Sequence, residues 1–116
     1  MEHSHDQSRQ TERIRALNDQ YRKALPLVPG LAITSGIQAA FGDDLTDLFN
    51  SVRDFSDFCE DNDPYGEHDF GQIQIGPHAI YWKFDYYDTD LTYRSPDPSD
   101  PAKTRRVLTI MLREEY

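Results

Sequence analysis

The run Ala79-Ile-Tyr-Trp-Lys-Phe-Asp-Tyr-Tyr87 constrains this chain more than any other stretch of it. Wound as a helix, its aromatic side chains would scatter around the whole circumference. Drawn out as a strand, they sort cleanly. Ile80, Trp82, Phe84 and Tyr86 share one face, and Tyr81, Lys83, Asp85 and Tyr87 share the other. The first face demands a core. The second is polar but rich in tyrosine, which is the composition of a contact surface. Upstream, Phe70 to Ile75 has strand composition and Gly76-Pro77-His78 forms a turn, so the two runs are expected to pair as a hairpin.

Other segments supply the partners such a sheet needs. Leu108, Ile110 and Leu112 alternate with Thr109, Met111 and Arg113, which predicts a last strand over 107–113. Leu31 to Thr34, bounded by glycines, predicts a short additional strand, and Ile37 to Gly42 a connection with one helical turn. Ile14, Leu17, Tyr21 and Leu25 fall on one face of a helix over about Thr11 to Lys23, with Thr11 as its N-cap and Pro26 and Pro29-Gly30 ending it. The arginines of that segment lie off the apolar stripe and are expected to face water.

A second helix is expected to begin at Asp43 or Asp44. Leu45, Leu48, Phe49, Val52, Phe55 and Cys59 recur at helical spacing as a buried stripe. Asp47, Asn50, Asp54, Asp57 and Asp61 would then form an acidic ridge on the exposed side. Cys59 is expected in the core, as a small hydrophobe and not a nucleophile. The proline-punctuated segment Ser95 to Pro101 is a loop. Residues 1–10, with His3 and His5, are expected to be a disordered leader, followed by a single domain over 11–116.

Charge separates the chain into three parts. The net charge is −9, but residues 25–102 hold fifteen acids and three bases, a net of −12. Residues 1–24 and 103–116 are slightly basic. So acidic a centre repels nucleic-acid phosphates and attracts basic protein surfaces. It also serves simply to keep a surface solvated. The N-terminus lacks an apolar signal core, no apolar run is long enough for a membrane helix, and one cysteine makes no internal disulfide. A cytoplasmic protein without membrane contact is expected.

The turn Asp61-Asn-Asp-Pro-Tyr-Gly-Glu-His-Asp-Phe-Gly71 concentrates four carboxylates and a histidine. Aligned with a calcium loop from Asp61, it has Asp63 third and Gly66 sixth, but Tyr65 stands fifth and Gln72 twelfth, where a bidentate glutamate belongs. No spacing matches a zinc signature, and neither a glycine-rich phosphate loop nor a serine elbow occurs. No cofactor is expected. The plain alternative is that Asp61, Asp63 and Asp69 tie down the passage from helix to sheet, as Asp and Asn do in turns.

This acidic turn, Tyr81-Trp-Lys-Phe-Asp-Tyr-Tyr-Asp88, Ser95-Pro-Asp-Pro98, Arg106-Val-Leu-Thr-Ile-Met-Leu112 and Glu114-Glu-Tyr116 together resemble a family of small bacterial proteins of unknown function. Its members are frequent on plasmids and other mobile elements. The likeness runs from about Ile14 to Tyr116. It implies a compact α+β domain and carries over no catalytic residue. The company the family keeps on mobile elements includes anti-restriction and anti-CRISPR proteins.

The expected fold is α+β, with two helices packed on a three- to four-stranded, mainly antiparallel sheet. Its expected core is Ile14, Leu17, Leu45, Leu48, Val52, Phe55, Ile80, Trp82, Phe84, Leu108, Ile110 and Leu112. The expected function is non-enzymatic: an anti-CRISPR or other anti-defence inhibitor. It would bind a protein partner with a basic nucleic-acid-binding surface, such as a CRISPR effector, and block that surface without binding nucleic acid directly. Contacts are expected from Asp47, Asp54, Asp57, Asp61, Asp63, Tyr65, Glu67, Asp69, Tyr81, Asp85, Tyr87 and Asp88. The alternative is a small metal-binding protein or enzyme with its site around Glu67, His68, Asp69 and Asp85. A third reading is a homodimer through the tyrosine face.

Overall fold

The computed structural model describes residues 2–116, with side chains described from Gln7 onward. Its sheet has the strand order β1-β4-β3-β2. The strands are β1 (Leu31–Ile33), β2 (Phe70–Ile75), β3 (His78–Tyr87) and β4 (Arg105–Leu112). The β2–β3 and β3–β4 pairs are antiparallel, and β1 joins β4 in parallel at the edge. The sheet is therefore mixed, and the α+β expectation holds.

The alternation in β3 does what its spacing requires. Ile80, Trp82, Phe84 and Tyr86 are buried, while Tyr81, Lys83, Asp85 and Tyr87 are half-buried on the opposite face. On β4, Arg106, Leu108 and Ile110 stand opposite Tyr86, Phe84 and Trp82 in register. Ile14 of α1, Leu25 in the turn after it, Ile37 of α2, and Leu48 and Val52 of α3 complete the buried cluster. Each such aliphatic or aromatic side chain contributes about 1.5–3 kcal/mol by leaving water. Leu17 is only half-buried, and so are Leu45, Phe55 and Leu112, which pack against this cluster from its rim.

Among the described residues there are three α-helices rather than two. The first, α1, spans Glu2–Lys23, so Thr11 lies within it rather than capping it. The side chains of His3 and His5 lie outside the described residues. The single turn expected after β1 is a helix, α2 (Ser35–Phe41), and Thr34 caps it by accepting from the Ile37 amide. The third, α3, covers Thr46–Asp54 only. Asp44 provides its N-terminal contact, its carboxylate accepting from the Thr46 amide.

The early end of α3 overturns part of the second-helix expectation. Phe55 turns extended, with φ −59° and ψ 130°. The Arg22 guanidinium donates to the carbonyls of Val52, Arg53 and Phe55 at 2.7, 3.1 and 2.8 Å, satisfying groups that a continuing helix would have bonded. Beyond this point the helical period has no meaning. Phe58 turns back to pack on Phe55 and Trp82, Cys59 is exposed and not in the core, and Asp57 and Asp61 lie outside any helix. Of the expected ridge, only Asp47, Asn50 and Asp54 lie on α3.

Candidate functional site

Around the inner end of β3 the structure gathers polar groups that the sequence scatters over nearly ninety positions. Asn18 of α1 is fully buried. Its Nδ2 donates to the Tyr86 hydroxyl at 2.8 Å and to the Glu67 carbonyl at 3.0 Å, and its Oδ1 accepts from Arg106 Nε at 2.9 Å. The Tyr86 hydroxyl donates to Glu67 Oε1 at 2.9 Å. Arg106 also reaches the Pro98 carbonyl, and its guanidinium lies over the Tyr86 ring. Burial and the neighbouring Glu67 push the Tyr86 hydroxyl far above its ordinary pKa, so it stays a donor.

His68 anchors the other side of this cluster. Its φ of 55° places it in the left-handed region, and its ring stacks on Phe58 at 3.7 Å. Nδ1 faces the Asp19 carboxylate at 2.9 Å, and Nε2 lies 3.8 Å from Asp63. Asp63, expected at the surface, is 8% exposed and accepts from the His68 amide, so its carboxylate belongs to the fold. Asp69 is half-buried. Burial, then the Glu67 charge, raises its pKa to about 6.

The remaining acids behave differently. Asp43, Asp44, Asp47, Asp54, Asp57, Glu60 and Asp61 are all exposed. Ion pairs among the described residues involve other carboxylates, those of Asp19, Asp63, Asp85 and Asp100. Three basic side chains of α1 are engaged elsewhere. Arg13, Arg15 and Arg22 are spent on the carbonyls of Ser99, Gly66 and the end of α3. The expectation that the α1 arginines face water therefore fails for Arg22, which is 3% exposed.

Residues 33–115 match the family described as Protein of unknown function (DUF3768). The chain belongs to this family. No curated protein and no solved structure matches it. The DUF3768 match takes in α2, α3, β2, β3 and β4 and every contact residue expected from sequence, whereas Asn18 and Arg22 of α1 precede it.

On the outer face of the DUF3768 sheet, Tyr81 packs edge-on against Phe70 and Tyr116. Asp85 pairs with Lys83 at 2.8 Å. Tyr87 is half-buried, Asp88 closes a turn by accepting from the Thr92 amide, and Tyr65 is 75% exposed. Apart from Tyr65 and Asp88, the expected contact residues thus divide among three places. Asp47, Asp54, Asp57 and Asp61 form the exposed stretch. Asp63, Glu67 and Asp69 turn toward the interior. Tyr81, Asp85 and Tyr87 lie on the outer sheet face.

The same division separates the alternative site. Glu67 bonds Tyr86 on the inner face of β3, while Asp85 points to the opposite face. Among the described residues no group of three or more His, Cys, Asp or Glu side chains is placed to hold a metal ion. No described helix is long and apolar enough to cross a membrane. Asn18, Arg22 and Arg106 are the residues that sequence reasoning missed. The signal available was the spacing of Ile14, Asn18 and Arg22, four apart and hence on one helical stripe.

Proposed function

We propose that this DUF3768 protein is a non-enzymatic inhibitor that docks its exposed carboxylates on a basic, nucleic-acid-binding surface of a protein partner. The observation that carries this reading is the division of the acids. Asp63, Glu67 and Asp69 are held within the fold, while seven carboxylates between Asp43 and Asp61 are exposed and lack ion pairs among the described residues. Exposed like charge of this density disfavours the compact state and is useful when a basic partner neutralises it. Tyr65, at the end of this stretch, adds an exposed aromatic anchor.

A defence complex whose channel takes nucleic acid fits this chemistry, and the company of the family on mobile elements favours a CRISPR effector as the partner. The protein would act in the cytoplasm and would not bind nucleic acid itself. The test is competition: the protein should displace labelled target from a purified effector, and rising salt should weaken it steeply. Displacement without any salt dependence would exclude charge-driven docking.

One observation favours a second reading, an acid–base site at Glu67, His68 and Asp69. Asp69, with its pKa near 6 beside Glu67, has the property of a general acid. Asp85 has no part in it, because it faces the other side of the sheet. Turnover of any substrate that is lost in Asp69→Asn, with the fold intact, would favour this site over the inhibitor.

A further inference from the structure

At its start, β4 runs past the beginning of β1. Pairing begins at Leu31 with Leu108, so Arg105 to Val107 have no strand beside them on that side. The second half of α1 and the turn at Val28 to Gly30 stand around this gap and leave an open cavity of about 560 Å³. Leu17, Tyr21, Ala24, Val28, Leu91 and Val107 contribute its apolar wall. The volume falls within the roughly 300–1,000 Å³ of small-molecule sites.

The charge of this cavity runs against that of the protein. The chain has a net charge of −9, yet among the described residues no carboxylate lines the cavity. Its charged lining residues are Arg105 and Arg106. The Arg106 guanidinium is committed to Asn18 and the Pro98 carbonyl. Arg105 is exposed and has no hydrogen-bond or ion-pair partner among the described residues.

Leu91 adds an independent sign. It is a bulky residue held at φ 58°, a conformation that such side chains avoid. Asp88 imposes it, its carbonyl accepting from the Leu91 amide and its carboxylate from the Thr92 amide, both at 3.0 Å. The strained turn leaves Leu91 59% exposed at the wall of the cavity. Backbone strain of this kind recurs at ligand clamps.

We propose that this cavity binds a small amphipathic carboxylate, its alkyl or aryl body against the apolar wall and its carboxylate paired with Arg105. Such a pair is charge-assisted and can be bidentate through the guanidinium. Asp88, Asp90 and Asp100 adjoin lining residues in sequence but do not themselves line the cavity.

Decanoate and its uncharged analogue decanol are suitable probes, titrated into the full chain and followed by amide chemical shifts. Decanoate should saturate at one equivalent, with shifts centred on Tyr21, Gly30, Leu91 and Val107. Arg105→Glu should weaken decanoate about tenfold and leave decanol unchanged. Ala24→Trp, which fills the cavity, should abolish both. Should that variant fail to fold, Arg105→Glu and the comparison with decanol still decide. Equal weakening of both probes by Arg105→Glu, shifts elsewhere, or the absence of saturation would overturn the proposal. So would shifts of the same amides on dilution without ligand, because a second copy of the chain would then be the occupant.

Discussion

The Asn18 amide donates a 2.8 Å hydrogen bond to the Tyr86 hydroxyl, joining α1 to β3 inside the protein. Both side chains are buried, and each has a second partner in Glu67. Tyr86→Phe removes the donor to Glu67 and should cost about 1–3 kcal/mol. Asn18→Ala should cost more, since it also strips Arg106 Nε of its acceptor. In urea unfolding both variants should show a lower midpoint with an unchanged slope. Wild-type midpoints would show that the network contributes nothing.

Arg22 takes the place of a helical continuation at the end of α3. Arg22→Met keeps the bulk but leaves three carbonyls without their donor, and should destabilise the fold by about 3 kcal/mol or more. Arg22→Lys should rescue little, because a single ammonium does not reproduce the guanidinium fork. Equal stability of the lysine variant and wild type would refute a role for the fork.

Asp69 makes the fold sensitive to pH in a defined direction. Its pKa is raised from 3.8 to about 6 in the folded chain, so between these values the folded state binds more protons than the unfolded one. Its favourable contribution is complete below pH 3.8 and is lost as pH rises through about 6. Asp69→Asn should therefore exceed wild-type stability above that window, by about 1–2 kcal/mol for a half-exposed group, and converge with it below. Melting temperatures across the range test this. A uniform offset at every pH would contradict it.

Glu115 has the opposite sign. Its carboxylate accepts from the Thr34 hydroxyl at 2.6 Å, from the Leu112 amide at 2.8 Å and from the Gly36 amide at 3.1 Å, and these bonds lower its pKa. The stabilisation is present above the ordinary glutamate pKa and is lost as pH falls through the lowered one. Hydrogen exchange should show the start of α2 opening faster in acid, and Glu115→Ala should open it faster at neutral pH. Unchanged protection at Ile37 in that variant would contradict the clamp.

The sheet was legible because a strand period of two leaves its mark within nine residues, from Ala79 to Tyr87. The end of α3 was not. Phe55, Phe58 and Cys59 continue an apolar rhythm, but what stops the helix is Arg22, some thirty positions earlier. The interior role of Glu67 and Asp69 was hidden for the same reason, since Asn18 and Arg106 meet only in the folded chain. The exposed acids from Asp43 to Asp61 were visible in composition, though the helix expected to arrange them ends at Asp54.

Docking of this acidic stretch on a basic surface is open to test by charge reversal. Asp54, Asp57 and Asp61 are exposed, and changing all three to lysine leaves the buried network intact. The wild-type protein and this triple variant would each be titrated against purified CRISPR effectors carrying labelled target, at low and at high salt. Wild type should displace target at low salt and lose this ability at high salt, and the folded triple variant should fail at both. Equal displacement by the folded variant would contradict it.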